Sequence, residues 1–137
     1  MTSYITPTGT AGRALVMRGM EKPVTMLNLL RFRAVADYAR TPELTPAIPI
    51  SGAAAFGLYV DHTLPFLKES GGELIYMGRG GPWFIGPDIE RWDLAMLVRQ
   101  SSIASFIAFA SNTAYAAGLA HRTAAIEDSR LLPMEDL

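Results

Sequence analysis

The segment Val24–Phe32, which reads VTMLNLLRF, constrains the fold more than any other part of the sequence. It is too short and too continuously apolar for a surface helix, and it suits a strand that is buried on both faces. Successive side chains of a strand point to opposite faces, which here carry Val24, Met26 and Leu30 on one side and Leu27 and Leu29 on the other. A sheet built around this strand therefore needs apolar cover on both faces.

Helical spacing, capping residues and glycine stops predict four helices in the remaining sequence. They run over 8–19, from Ser51 to about Ser70, from Ser101 or Ser102 through Phe109, and from Thr113 to about Ile126. Pro65 removes one backbone hydrogen bond, so we expect it to bend or split the second helix near His62. The prolines between Ala34 and Ile50 predict a long connection.

The extended segments complete an alternating order of strands and helices. ELIYMGRG and WFIG flank a Gly-Gly-Pro turn and form either a hairpin or one long bulged strand. Arg91–Arg99 alternates Trp92, Leu94, Met96 and Val98 with Asp93, Ala95 and Leu97, and Arg130–Met134 reads as a last short strand. This order predicts an α+β fold, a ferredoxin-like split β-α-β protomer with an antiparallel sheet.

A sheet of this kind has helices on one face only, so the two-sided apolar pattern of Val24–Phe32 leaves an open apolar face. Half of the residues are apolar and only 18% are charged, against about a quarter in an average soluble domain. Burying each large apolar side chain is worth about 1.5–3 kcal/mol. We therefore expect a homodimer that forms through the open sheet face.

Composition and motifs argue against several classes of function. A net charge of −1 with scattered basic residues argues against nucleic-acid binding. The absence of cysteine excludes disulfides, thiolate nucleophiles and sulfur-ligated metals, and it fits a reducing, cytoplasmic location. The longest near-apolar stretch, Ile103–Ala110, is too short to span a membrane, and the first residues do not form a signal peptide. Because no metal or phosphate-binding motif is present, we expect no cofactor.

A set of short motifs between Val24 and Pro133 resembles the domain-of-unknown-function 1330 family of the dimeric α+β barrel superfamily. These motifs are Asn28-Leu29-Leu30-x-Phe32, Ala55-Phe56-x-x-Tyr59, Gly71-Gly72, Trp92-Asp93, Val98-Arg99, Tyr115, His121-Arg122-x-Ala124-Ala125 and Glu127-Asp128-Ser129-x-Leu131-Leu132. The resemblance implies ferredoxin-like protomers whose sheets close into a barrel across a twofold axis. It divides the chain into an N-terminal extension, 1–22, and a barrel domain, 23–137. Gln100-Ser101 departs from the Tyr-Pro that is usual in the family, and Phe56 stands where a tyrosine is common.

Several polar residues within apolar segments are candidates for ligand contacts. Asn28 lies in the most apolar strand and needs a partner, which is either a structural hydrogen bond or a ligand oxygen. Trp92 and Asp93 suit a core indole and a loop acceptor, or a ligand site. Arg122 is expected to pair with Asp93 or Glu127, with anion binding as the alternative. The remaining ligand candidates are Tyr59, Arg99 and Tyr115.

The two histidines, His62 and His121, are the candidates for moving a proton. We expect a homodimer that binds a small apolar or aromatic oxygenated molecule in a cavity between the sheet and the helices. Related members of the superfamily suggest a first alternative, a cofactor-independent monooxygenase or isomerase. A second alternative is a noncatalytic interaction or stress-related dimer, which predicts a filled interior.

Overall fold

A computed structural model describes residues 2–137, in which four antiparallel strands form one sheet. The strands are β1 (Val24–Phe32), β2 (Glu73–Arg79), β3 (Leu94–Gln100) and β4 (Ile126–Met134), in the order β2-β3-β1-β4. β1 is central and pairs with both β3 and β4. The boundaries predicted for β1 are confirmed, and so is the ferredoxin-like arrangement of the strands.

The first four α-helices in chain order begin at a residue whose side chain caps the helix. They are α1 (Gly9–Val16), α2 (Gly52–Glu69), α3 (Ile103–Ala110), α4 (Thr113–Ala116) and α5 (Leu119–Ala125), with a short 3-10 helix at Pro42–Leu44. The Ser51 hydroxyl accepts a hydrogen bond from the Ala54 backbone N–H, and Ser102 and Asn112 cap α3 and α4 in the same way. Each cap satisfies backbone N–H groups that the helix itself leaves free.

Pro65 was expected to bend or split the second helix, and the structure shows no split, because α2 is one helix from Gly52 to Glu69. The prediction of a single last helix is wrong. The predicted helix from Thr113 to Ile126 is divided at Gly118 into α4 and α5. A Cβ at Gly118 would lie 2.8 Å from Cγ of His62, so the close approach of α2 requires a glycine at this break.

The segment between β2 and β3 also differs from both forms that the sequence allows. β2 contains a bulge between Leu74 and Tyr76 and ends at Arg79, and residues 83–86 are not in a strand. β3 begins at Leu94, after the predicted start at Arg91, and β4 begins at Ile126, well before the predicted start at Arg130. Residues 80–91 form a loop that we call the arm. Its glycines and prolines do not support a ladder, because proline lacks the N–H donor and glycine is costly to order.

Three clusters of buried side chains fill the space between the sheet and the helices. The largest joins Leu30 and Met96 of the sheet to Phe56 of α2 and to Ala125 and Ile126. A second contains Val24, Met26 and Ile103, and a third contains Leu67, Phe109 and Tyr115. The helices therefore cover the face of β1 that carries Val24, Met26 and Leu30, as the alternation in β1 predicts.

The other face of the sheet is the one that we call the open face. In register with Leu27 and Leu29 of β1 stand Leu97 and Ala95 of β3, and Leu132 of β4 lies opposite Leu27. Side chains that are directly opposite in a sheet share a face, so these apolar groups are neighbours. Leu132 is 52% exposed, and the three core clusters contain none of these side chains.

The N-terminal segment lies against β4. The Tyr4 backbone N–H donates to Asp128 Oδ1 at 2.8 Å, and the Ser129 hydroxyl donates to the Tyr4 carbonyl. Further along, the Arg18 guanidinium donates to the Pro133 carbonyl at 2.8 Å. The segment is thus hydrogen-bonded near both ends of β4, an edge strand of the sheet. Met1, the first residue of the predicted extension, lies outside the described residues.

Candidate functional site

Tyr38, whose side chain is hydrogen-bonded to His121, lines a surface cleft that His121 itself does not line. The Tyr38 hydroxyl and His121 Nδ1 are 2.8 Å apart and join the 34–50 connection to α5. Tyr38 is buried, and burial raises the pKa of its phenol above the ordinary value. The phenol is thus neutral near neutral pH, and it donates to Nδ1 when His121 carries its proton on Nε2.

The cleft beside this pair has a volume of about 230 Å³. Tyr38 is part of its lining. The rest of the walls is mainly apolar and comes from the 34–50 connection: Val35, Ala36, Ala39, Pro46, Pro49 and Ile50. An apolar cleft with a small number of polar groups is the usual form of a small-molecule site, although this one is smaller than the roughly 300–1,000 Å³ of drug-sized pockets. A phenol and an imidazole in hydrogen-bond contact can also exchange a proton with a bound molecule.

Tyr59 and Tyr115 form a second pair, at the contact between α2 and α4. Their hydroxyl oxygens are 2.8 Å apart, and the Tyr115 ring packs on Phe109 with ring centroids 4.4 Å apart. Burial raises the pKa of Tyr115 far above that of a free phenol, and the neighbouring Tyr59 raises it further. The two phenols satisfy each other inside the packed core.

The other polar candidates on this side of the sheet are occupied by nearby backbone groups. The His62 Nε2 lies 2.8 Å from the Ala114 carbonyl and donates to it, which ties α2 to α4. The Asn28 amide donates to the Met26 carbonyl of its own strand at 3.3 Å. Neither residue lines either of the two clefts.

Arg122 does not form the ion pair that the sequence suggests. Its guanidinium donates to the Ile5 carbonyl at 2.7 Å, while Asp93 pairs with Arg91 and Glu127 with Arg31 and Arg91. The sequence could not indicate this partner, since a backbone carbonyl has no residue signature.

Asp93 and Arg99 lie at opposite ends of β3. Asp93 Oδ2 accepts the Phe32 backbone N–H at 2.8 Å, and so joins the two strands just before β3 begins. Arg99 Nη1 lies 3.2 Å from Asp136 Oδ2 and 3.4 Å from the Thr25 hydroxyl. The two candidates are therefore not parts of one site.

Trp92 is buried on the open-face side, where it lines a cleft with Leu29 and Ala95. The sequence predicted that it shares a face with Leu94 and Met96. That alternation does not extend to Trp92, because β3 starts only at Leu94. The guanidinium carbon of Arg130 lies 5.0 Å from the Trp92 ring centroid and 4.8 Å from that of Tyr4. Arg31 approaches the same indole at 5.9 Å. Two cations therefore contact one buried indole at this end of the sheet.

Asp128 balances these cations. Its Oδ1 accepts hydrogen bonds from the backbone N–H groups of Tyr4 and Ser129 and from Arg130, and its Oδ2 lies 3.6 Å from Arg31 Nη2. Burial alone would raise the pKa of this carboxyl, but the hydrogen bonds and the Arg130 charge outweigh burial and lower it. Sequence reasoning missed Asp128 and Arg130 as a pair, because the predicted strand began only at Arg130 and left Asp128 outside it.

A second cleft, of about 240 Å³, lies between the arm and the open face. Leu29, Ala95 and Trp92 line it from the sheet, and Gly81, Pro82, Trp83 and Phe84 line it from the arm. Its walls are apolar and aromatic. Among residues 2–137, no group of three or more histidine, aspartate and glutamate side chains is arranged to hold a metal ion at either cleft or elsewhere.

Comparison with solved structures finds matches that extend over nearly the whole chain. The crystal structure of RPA0582, a protein of unknown function from Rhodopseudomonas palustris, is 32% identical, has a TM-score of 0.87, and is matched over 99% of this chain and 98% of its own. The chain belongs to the RPA0582 family. A structure of methylated RPA0582 matches with 31% identity and a TM-score of 0.88, over 100% of this chain and 97% of its own.

The RPA0582 family thus shares the whole fold described above, including the N-terminal segment. A third structure, a dimeric protein of unknown function with a ferredoxin-like fold from Bacteroides fragilis NCTC 9343, has a TM-score of 0.52 at 11% identity, over 86% of this chain and 100% of its own. At that identity the match shows a shared fold, and the dimeric state is a property of that protein.

No family model matches the sequence, and no curated protein matches it either. Within residues 2–137, no single helix is long and apolar enough to cross a membrane; α3 together with α4 and α5 reaches that length and composition only as a pair bent by 56°.

Proposed function

We propose that the protein is a homodimer in which the open faces of two sheets pack together into a dimeric α+β barrel. The open face carries Leu27, Leu29, Leu97 and Leu132 at adjacent positions of three strands. Covering the exposed part of such side chains contributes at most about 1.5–3 kcal/mol each, before the cost of association. A structural neighbour with the same type of fold is described as dimeric, which supports this arrangement.

The edges of the sheet are poor alternatives for pairing. β4 carries Pro133, which cannot donate to a ladder, and the N-terminal segment lies against both of its ends. β2, the other edge, is interrupted by the bulge between Leu74 and Tyr76. Prolines and bulges are the usual means by which proteins prevent edge pairing, so the face is the better surface for a second copy.

The small-molecule site of this dimer is the cleft beside Tyr38. The observation that carries this proposal is a buried phenol in the lining of an apolar cleft, bonded to a histidine at 2.8 Å. The clusters that fill the space between sheet and helices favour this cleft over the cavity that the sequence suggested. Its ligand is a small apolar or aromatic molecule with one oxygen that can accept a proton or a hydrogen bond from the Tyr38–His121 pair.

Thermal-shift screening with aromatic, quinone-like and lactone compounds tests this site. We expect selected compounds to raise the melting temperature of the wild type, and Tyr38→Phe and His121→Ala to reduce that shift. His62→Ala is the matched control, because His62 bonds a carbonyl away from the cleft. The proposal fails if no compound stabilises the wild type, or if all three variants respond as the wild type does.

A cofactor-independent monooxygenase or isomerase is the second candidate function, favoured by the same Tyr38–His121 contact. His121 does not line the cleft, so it would move the proton through the Tyr38 phenol to which it is bonded, whereas His62 is bonded to the Ala114 carbonyl and has no such link to the cleft. Oxygen uptake or product formation with a stabilising compound is expected to be lost in His121→Ala and retained in His62→Ala. Equal rates in the two variants would remove His121 from the mechanism.

A noncatalytic interaction dimer is favoured by the filled interior and by the mutually satisfied phenols of Tyr59 and Tyr115. It predicts a dimer with no stabilising compound. Membership of the domain-of-unknown-function 1330 family, which the motifs between Val24 and Pro133 suggest, is likewise a proposal that fits the ferredoxin-like fold.

A further inference from the structure

The arm exposes several large apolar side chains close together in the sequence. Phe84 is 101% exposed, Ile85 87% and Ile89 89%, although large apolar side chains are rarely fully exposed in such proximity. The six residues from Gly80 to Ile85, GGPWFI, carry no charge. Contiguous exposed apolar side chains of this kind mark an interaction surface.

The arm is held in a defined position. Its two ends meet, because the Gly80 backbone N–H donates to the Asp93 carbonyl at 3.0 Å. Near its tip the Trp83 indole lies against Gly86, where a Cβ would approach Cγ of the indole to 2.5 Å. Phe84 and Ile85 are therefore presented on a folded loop, which lowers the entropic cost of binding through them.

Directly beside the base of the arm lies the cleft of about 240 Å³ formed with the open face. Leu29 and Ala95 belong to the open face itself, so the cleft is continuous with the surface that pairs in the proposed dimer. Its apolar lining matches the apolar tip of the arm. Phe84 belongs to the wall of its own chain's cleft, but its side chain and that of Ile85 are almost fully exposed, so the tip does not fill the cleft within one copy.

We infer that the arm of each copy docks on the other copy, where Phe84 and Ile85 enter the cleft beside the partner copy's Trp92 position. This inference rests on the proposed face-to-face homodimer. A twofold interface uses each surface patch twice, so a tip and a cleft next to one open face make two equivalent contacts. The cleft is incomplete in one copy and is closed by the second.

Ile85→Ser tests the inference against Ile48→Ser, a matched change at another isoleucine that is 76% exposed but lies outside the arm. Sedimentation velocity over a dilution series gives the dimer dissociation constant. We expect Ile85→Ser to raise it by about tenfold or more, because two buried contacts are lost per dimer, and Ile48→Ser to leave it within about twofold.

Cross-linking gives an independent measurement, since the natural chain has no cysteine. Phe84→Cys mixed with Ala95→Cys is expected to form a disulfide between copies under mild oxidation. Phe84→Cys mixed with Ala108→Cys, an exposed position on α3, is expected to form none.

A wild-type dimer that keeps its dissociation constant in Ile85→Ser and gives no Phe84–Ala95 cross-link overturns the arm contact and leaves the proposed dimer standing. A wild type that is monomeric at micromolar concentration overturns both. Efficient cross-linking together with a weakened Ile85→Ser dimer supports the arm contact.

Discussion

Replacing Asp128 tests whether its carboxylate balances the charges of Arg31 and Arg130, which lie beside Trp92 at one end of the sheet. The Asp128 side chain is 5% exposed, and its Oδ1 accepts three hydrogen bonds, from Tyr4, Ser129 and Arg130. Asp128→Ala removes all of them and leaves Arg31, whose side chain is 16% exposed, without its buried partner. Breaking a buried pair in this way costs about 3–5 kcal/mol. We expect the lower end of that range, because Arg130 is about half exposed and solvent screens its share.

Asp128→Asn separates charge from hydrogen bonding. The amide oxygen can still accept the three bonds, but the amide nitrogen then faces Arg31 at the position where Oδ2 lies 3.6 Å away. We therefore expect a smaller loss, about 1–3 kcal/mol in the free energy of unfolding. Urea denaturation at about pH 7 measures both losses, with Asp61→Asn on the exposed side of α2 as the matched control.

The pH dependence gives the sign of the charge contribution. The folded pKa of Asp128 lies below that of an unfolded aspartate, so its contribution is present above the unfolded pKa and is lost as the pH falls through the folded pKa. The difference between wild type and Asp128→Asn should therefore shrink as the pH falls from about 5 through the folded pKa. Equal losses for Asp128→Ala and Asp128→Asn, or a difference that does not change with pH, would refute this reasoning.

Two further predictions concern α2 and are measured by urea denaturation. Thr63→Val should raise the free energy of unfolding by about 1 kcal/mol, because the buried Thr63 hydroxyl has no hydrogen-bond partner; a loss would mean that the hydroxyl is satisfied. Gly52→Ala should destabilise by at least about 1–3 kcal/mol, since its Cβ would lie 2.5 Å from the Ala125 carbonyl oxygen and 2.8 Å from the Arg33 nitrogen. Gly57→Ala is its control on the same helix, with open space around it, and should stabilise by about 0.5–1 kcal/mol; similar effects at both glycines would contradict the packing described.

The elements that local chemistry specifies were predictable from the sequence. β1 was recognisable because a central strand is apolar on both faces, and the starts of α2, α3 and α4 because Ser51, Ser102 and Asn112 bond to backbone N–H groups within three residues. Pro65 does not end α2, which shows that a helix packed on the core can lack one backbone hydrogen bond.

Long-range contacts were not predictable in the same way. Tyr38 and His121 are 83 residues apart, and no spacing in the sequence links them. The Arg122 guanidinium donates to a backbone carbonyl of the N-terminal segment. Trp92 lies on the open-face side because β3 begins two residues after it, at Leu94. Each of these outcomes depends on where whole elements pack, which the local pattern does not determine.

The central claim, a homodimer through the open sheet face, is tested most directly by the molar mass of two leucine variants. Leu132→Glu places a charge on the open face, and Leu58→Glu places one on α2 at a leucine of similar exposure, 44% against 52%. Burying an unpaired carboxylate in an interface is costly, so light scattering at micromolar concentration should give a dimeric mass for wild type and Leu58→Glu and a monomeric mass for Leu132→Glu. A monomeric wild type, or a Leu132→Glu variant that remains fully dimeric, would contradict the account.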